Sequence, residues 1–120
     1  MVNRNFEDFQ ERTFNFAVKV VKLVLKLPNN SATWILGKQL IASATSIDSN
    51  VDQAKSGVSR PDFINHMKIA RKEAKETLRW IKMLIALNLF KAEDLVEVIN
   101  ENEEIIKILI SSIKTAEKNK

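Results

Sequence analysis

The sequence predicts an all-α chain, an antiparallel up-down-up-down four-helix bundle built by residues 1–120 as a single domain. Three observations predict it. There are only two glycines and two prolines in 120 residues, and Ala, Leu, Ile, Lys and Glu dominate, which is a helical composition. Four stretches repeat their apolar residues at three- and four-residue spacing, the period of an amphipathic helix. The connections between them are short, and short connections between long helices make consecutive helices antiparallel neighbours.

The first helix is expected from about Phe6 to Leu27. At about 100° per residue, Phe6, Phe9, Phe16, Val20, Leu23, Val24 and Leu27 share one face. Phe14, Val18, Val21 and Leu25 widen that face to well over half the circumference. Pro28 stops the helix and Asn29-Asn30 makes the turn. The second helix is expected from about Ala32 to Lys55, with Ser31 as N-cap and Gly57 as the stop. Leu36, Leu40, Ala44, Ile47, Val51 and Ala54 form its apolar side. The run Ala42-Ser43-Ala44-Thr45-Ser46 is small enough to let another helix come close.

The third helix announces itself with Ser59 as N-cap, Pro61 in the first turn and Asp62 as a capping-box acid. Its core stripe reads Phe63, Met67, Ala70, Ala74, Thr77, Leu78, Ile81 and Ile85, and it ends near Asn88. A second apolar row, Ile69, Trp80, Met83 and Leu87, lies roughly 100° away on the helical wheel. The fourth helix is expected from about Glu93 to Glu117. Leu95, Val98, Ile99, Ile105, Ile106, Leu109, Ile110 and Ile113 make one stripe, with Asn102 inside it. The tail Lys118-Asn119-Lys120 is expected to fray.

Composition narrows the function. A chain of this length can bury a real core. It has no cysteine, which removes disulfides and thiolate metal sites and fits a reducing cytoplasm, the expected compartment. No apolar run reaches the roughly 20 residues that span a bilayer, so no membrane partner is expected. The most apolar segment, Val18 to Leu27, is broken by Lys19, Lys22 and Lys26. The N-terminus lacks the basic-then-apolar order of a signal peptide. Net charge is +4, and the excess is uneven. Residues 61–90 carry 6 Lys/Arg against 3 Asp/Glu, whereas residues 91–120 carry 5 against 7.

That excess forms a row. Lys68, Lys72, Lys75, Arg79 and Lys82 recur at spacings of four, three, four and three, with Arg71 beside them. Such a row can track phosphates, each contact releasing counterions. Charge rows of this kind are more often a solvated face, here with Glu76 pairing with Arg79 or Lys72. Lys19, Lys22 and Lys26 make a second, shorter row on the first helix, where cations also suit the helix C-terminus. The row Ile69, Trp80, Met83 and Leu87, with Phe14 and Val18 of the over-wide first helix, reads as an oligomer surface, because aromatic and Met residues are enriched in interface cores. The other reading is that the first and fourth helices cover the Trp80 row within one subunit. Asn50 and Asn102 read as structural polar residues that fix register, Asn50 by capping or by bridging to a neighbouring helix.

Chemistry has little to stand on. His66 is the sole histidine, and the Glu-x-x-His pair of di-iron bundles is absent. There is no Gly-rich phosphate loop, no cysteine nucleophile and no serine with a convincing base. Glu73, Glu76, Glu101 and Glu104 look like ordinary acidic helix surface. The expectation is a non-enzyme with no catalytic residues, no metal site and no cofactor.

Gln39-Leu40, Ser46-Ile47, Asn50-Val51, then Phe63, Ile69-Ala70 and Glu76 occur in an order that resembles the four-helix-bundle proteins encoded in intervening sequences of bacterial 23S ribosomal RNA genes. The family pattern runs Ser-Ile-x-x-Asn-Ile-Ala-Glu-Gly across the end of the second helix. The resemblance covers most of the chain. Asp52-Gln53-Ala54 replace the family's Ala-Glu-Gly, and Ile41 and Ala42 stand where the family often has basic residues. The chain is also similar to the basic accessory proteins of diversity-generating retroelements. The resemblance implies a ring, typically a homopentamer, and for the accessory proteins it implies binding to nucleic acid and to a reverse transcriptase. The function expected is therefore a non-catalytic homo-oligomer that binds structured RNA or other nucleic acid through basic helix faces. The alternative is an interaction scaffold or accessory subunit that holds a partner enzyme such as a reverse transcriptase.

Overall fold

The structure, a computed structural model, describes residues 4–119. It contains four long helices, α1 (Arg4–Val24), α2 (Ser31–Lys55), α3 (Arg60–Ala86) and α4 (Val96–Lys118), and no strand among the described residues. The helices lie along a body of 48 × 24 × 20 Å. The residue at the extreme C-terminus, Lys120, falls outside the described residues, while Lys118 is still helical.

Local chemistry sets the ends. The α2 N-cap is Asn30, one residue earlier than the expected Ser31. Asn30 Oδ1 accepts from the Thr33 amide at 3.0 Å, and the Asn30 amide donates back to Thr33 Oγ1 at 3.2 Å. Only Asn30 stands three residues before a side chain that can answer it, so the reciprocal box selects it. The Thr33 hydroxyl also donates to Pro28 O, tying the cap to the turn before it. At the α3 start the Ser59 hydroxyl oxygen accepts from the Asp62 amide at 3.2 Å, and Pro61 sits in the first turn. There a missing N–H costs nothing. The Asp62 carboxylate does not complete a capping box; it lies 3.8 Å from His66 Nε2. α3 closes with Asn88 at φ 61°, the Asn88 amide donating to Ile85 O at 2.9 Å and the Leu89 amide to Leu84 O at 3.0 Å. This is a Schellman closure with asparagine where glycine is usual.

Three expected boundaries move. α1 ends at Val24 instead of Leu27, because Lys26 and Leu27 donate to carbonyls three residues back and tighten the last turn. The segment expected to open the fourth helix at Glu93 is a 3-10 turn, Ala92–Leu95, and α4 proper begins at Val96. Gly57 does not close α2 in the left-handed conformation; Ser56 is the C-cap and no glycine has positive φ. Gly57 instead makes room, since a Cβ there would lie 3.0 Å from Asp62 Oδ2 and 3.1 Å from Ala54 O.

The four amphipathic faces share one core. Phe16, Val20, Leu40, Ile47, Val51, Met67, Ala70, Ala74, Ile81, Ile105 and Leu109 are essentially inaccessible. Leu84 is also buried, although neither apolar row of the third helix included it, while Leu78 and Ile85 are only half-buried. Contacts fix how neighbours meet. Thr13 of α1 reaches Asp48 late in α2, and Val24 at the end of α1 lies against Gly37 near the start of α2. Ser43 meets Thr77, Asn50 meets His66, and Asn102 meets Ala74. α2 with α3, α3 with α4, and α1 with α2 make the extensive contacts, and α1 closes more thinly on α4. Among the described residues no helix is long and apolar enough to cross a membrane.

Candidate nucleic-acid interface

α3 carries its cations outward because its core stripe points inward. Lys68, Lys72, Lys75, Arg79 and Lys82 are exposed and Arg71 is half-buried. Lys68 Nζ is spent on Glu117 Oε2 of α4, 3.2 Å away. Among the described residues the other five of this set form no ion pair, so the pairing of Glu76 with Arg79 or Lys72 does not occur. Glu73 and Glu76 are half-buried instead. Burial pushes the Glu73 carboxyl above its ordinary range, Glu76 adds to that, and Lys72 opposes it. The outward row is thus a set of solvated point charges. Lysine heads on flexible stems can meet phosphate oxygens but do not read bases.

Lys19 and Lys22 are exposed on α1, and exposed Lys26 lies in the turn beyond its end. α1 packs on α2 and α4 and makes no extensive contact with α3, so the two rows do not merge into one patch.

The expected oligomer surface divides. Ile69, Met83 and Leu87 are exposed, at 36, 38 and 52 % of their full surface. Trp80 from the same row packs against the core, and its buried Nε1 has no hydrogen-bond partner. Phe14 and Val18 are exposed on α1, with Leu25 continuing their line at 77 %. Sequence reasoning did not single out Trp34, which is 65 % exposed and lies beneath the Lys38 ammonium, 5.1 Å from the ring centroid. The signal was there, because Trp34 and Ile35 face away from the Leu36–Leu40 side of their helix.

The structural polar residues are tied down. Asn50 Nδ2 donates to Ser46 O at 2.9 Å and lies 3.1 Å from Ser46 Oγ, which leaves Asn50 Oδ1 to meet His66 Nδ1 at 3.2 Å. Asn50 therefore bridges α2 to α3. Asn102, fully buried, donates from Nδ2 to Ala74 O at 2.9 Å, and its Oδ1 has no partner. Two further ties were invisible in the sequence. Arg12 grips Glu101 through Nε at 3.0 Å and Nη2 at 2.6 Å, which holds the guanidinium proton more firmly than usual. The buried Thr13 hydroxyl contacts Asp48 Oδ1 at 3.0 Å. Among the described residues no cluster of three or more His, Asp or Glu side chains could hold a metal ion.

The fold is that of a small all-helical protein with a solvated cation row and exposed apolar residues on α1 and α3. The chain belongs to the 23S rRNA-intervening sequence protein family, whose pattern matches residues 7–111. A solved structure from Bacteroides thetaiotaomicron, a protein of unknown function from the S23 ribosomal protein family, is 39 % identical. It aligns over 88 % of this chain and 98 % of its own, with a TM-score of 0.83. No curated protein matches the chain. The Ser46-Ile47-x-x-Asn50 signature of the resemblance acquires a structural meaning here. Ile47 is core, and Ser46 and Asn50 bond each other so that Asn50 can reach α3.

Proposed function

We propose that this chain is a non-catalytic, self-associating bundle that binds structured RNA along the outward cation row of α3. The single observation that carries this reading is the solvated state of Lys72, Lys75, Arg79 and Lys82, none of which is neutralised by an ion pair among the described residues. Unpaired cations in a straight row attract a polyanion, and their identity as point charges favours backbone over base recognition. The proposed body is one up-down-up-down antiparallel domain that works in the cytoplasm. Self-association, with the pentameric ring the family resemblance implies, would repeat the row in every copy, and avidity would then raise a weak contact.

The test is fluorescence anisotropy of a structured RNA across a salt series, with wild type against Lys75→Glu/Arg79→Glu/Lys82→Glu. Lys75 and Lys82 lie away from the Ile69–Met83 stripe, and because Arg79 stands one turn from Met83, light scattering checks that the variant assembles as wild type does. Binding that weakens steeply with salt, and a variant that binds at least tenfold more weakly, is the expected result. Removing three phosphate contacts should flatten the log–log salt slope by roughly 2–3. Equal binding by wild type and variant, or none by either at low salt, overturns RNA recognition.

A second reading has its own observation. Uncovered apolar stripes on α1 and α3 favour a scaffold or accessory subunit that holds a partner protein, such as a reverse transcriptase of the retroelement kind. Complex formation that ignores salt and is lost with the apolar stripes would single it out.

A further inference from the structure

Where α1 and α3 begin and α4 finishes, the molecule holds a cleft of about 330 Å³. It lies in the seam that α1 closes only thinly on α4. Its volume is at the low end of small-molecule sites, about 300–1,000 Å³, and suits one ring with a short arm. Phe6 and Phe9 of α1 and Phe63 of α3 give it an aromatic wall. Phe9 and Phe63 are buried, and the Phe6 and Phe63 rings meet at 5.8 Å between centroids with a 50° tilt. An aromatic guest extends such tilted packing. Ser112 and Thr115 of α4 contribute hydroxyls.

One cation stands in this wall. Arg60, in the first turn of α3, is half-buried, and its Nε is cut off from water with no hydrogen-bond partner. Among the described residues Arg60 forms no ion pair. A guanidinium that has lost part of its hydration and gained no counter-ion carries an uncompensated cost. The walls hold no Asp or Glu among the described residues. The acids nearby are placed elsewhere. Glu7 lines the cleft between α1 and α2, Asp62 lies 3.8 Å from His66 Nε2, and Glu117 holds Lys68. Asp8 is exposed outside the walls. The larger cleft beside Trp34 lacks this combination, because its cation, Lys38, already lies over the Trp34 ring.

We infer that the α1–α3–α4 cleft is a binding site for a small aromatic carboxylate, with its ring against Phe6, Phe9 and Phe63 and its carboxylate on the Arg60 guanidinium. Arginine's planar fork matches a carboxylate through two parallel bonds. A single unpaired guanidinium suits a monoanion. A phosphate carries more charge and would enter apolar walls at greater cost. The inference needs neither RNA binding nor self-association, so its failure leaves both untouched. A guest that touches α1, α3 and α4 together also ties α1 to the rest of the bundle.

The test titrates phenylacetate, and its neutral counterpart phenylacetamide, against the full chain by ligand-observed NMR. Wild type is expected to bind phenylacetate saturably, with a Kd of about 0.1–1 mM, as a ligand of this size allows. Phenylacetamide should bind about tenfold more weakly. Arg60→Gln should lose about tenfold in affinity for the acid and then treat the two compounds alike, because the charge-assisted bonds are gone. Ser112→Phe, which fills the cleft, should bind neither, and Trp34→Ala, which alters only the other cleft, should bind as wild type does. Circular dichroism checks that each variant keeps its helicity. Should Arg60→Gln or Ser112→Phe lose it, native-state hydrogen exchange of the wild type decides. Saturating phenylacetate should then slow exchange around Phe9 and around Ser112, and leave the amides around Trp34 unchanged. No saturable binding, equal binding of acid and amide by wild type, or protection centred on Trp34 overturns the inference. So does a folded Arg60→Gln chain with undiminished affinity for the acid, a folded Ser112→Phe chain that still binds, or loss of binding in Trp34→Ala.

Discussion

Asn102 shows how a single residue trades stability for order. Its side chain is fully buried, one end bonded to Ala74 O and the other, Oδ1, bonded to nothing. The bond made contributes about 1 kcal/mol, and the desolvated oxygen costs about 1–3 kcal/mol. Replacing Asn102 by leucine, close in size, is therefore expected to raise unfolding free energy by about 1 kcal/mol in urea melts. A loss of more than that would mean that the Ala74 bond outweighs the orphan oxygen. Asp48 makes a related case with a pH sign. Burial raises its pKa above the ordinary 3.8, Thr13's hydroxyl opposes, and Asp52 adds. The folded state then holds this proton more tightly than the unfolded one, so the contribution of Asp48 is lost as pH rises through the raised value. Glu73 shifts in the same direction. Asp48→Asn keeps an acceptor for Thr13 and removes the half-buried charge. It should melt higher than wild type near neutral pH, and the gap should shrink as pH falls toward the carboxyl range. A gap constant with pH would assign the gain to something other than this charge.

At the scale of the element, α1 comes close to α2 where Val24 packs on Gly37. A Cβ at Gly37 would come 2.8 Å from Val24 Cγ1. Alanine there gains helix propensity of about 1 kcal/mol, but forcing Val24 aside costs about 1–3 kcal/mol. Gly37→Ala is expected to destabilise modestly, and Gly37→Ala/Val24→Ala to recover part of the loss. Simple additivity in that double-mutant cycle would show that the two side chains do not meet. Such contacts explain which elements the sequence announced. α3 was legible at both ends because Ser59, Pro61 and Asn88 act locally, by a side-chain cap, a fixed φ and a left-handed closure. The end of α1 and the 3-10 turn before α4 were not, because bonds to the third carbonyl back need no particular side chain. Asn30 and Ser31 are both competent caps, and only Thr33 distinguishes them. Apolar rows were readable by spacing, but coverage was not. Trp80 packs against the core while Phe14 stays out, and that depends on partners distant in the chain.

Across the whole molecule, the seams between helices differ in strength. α2 and α3 share the most extensive contact, a buried Thr77–Ser43 hydroxyl bond at 2.8 Å and the Asn50–His66 bridge. α1 meets α4 thinly, and Arg12–Glu101 fastens that seam. The candidate site was legible in the sequence as a periodic row. Its weakest member was not, since Lys68 is engaged by Glu117, far along the chain. The unequal seams predict the order of opening. Native-state hydrogen exchange should find α3 and the centre of α2 exchanging only with global unfolding, whereas amides of α1 exchange through a cheaper, partial opening. Arg12 and Glu101 are 41 and 26 % exposed, and partly exposed pairs of this kind contribute about 0.2–1 kcal/mol. Arg12→Met keeps most of the stem and removes the two bonds, so it should lower the opening free energy of α1 by that amount and leave the gap between α3 and the globally unfolded state unchanged. A uniform loss in all four helices would mean that α1 belongs to the same cooperative unit as α2 and α3. Equal protection of α1 and α3 in the wild type would say the same, and the α1–α4 seam would then not be where this bundle first comes apart.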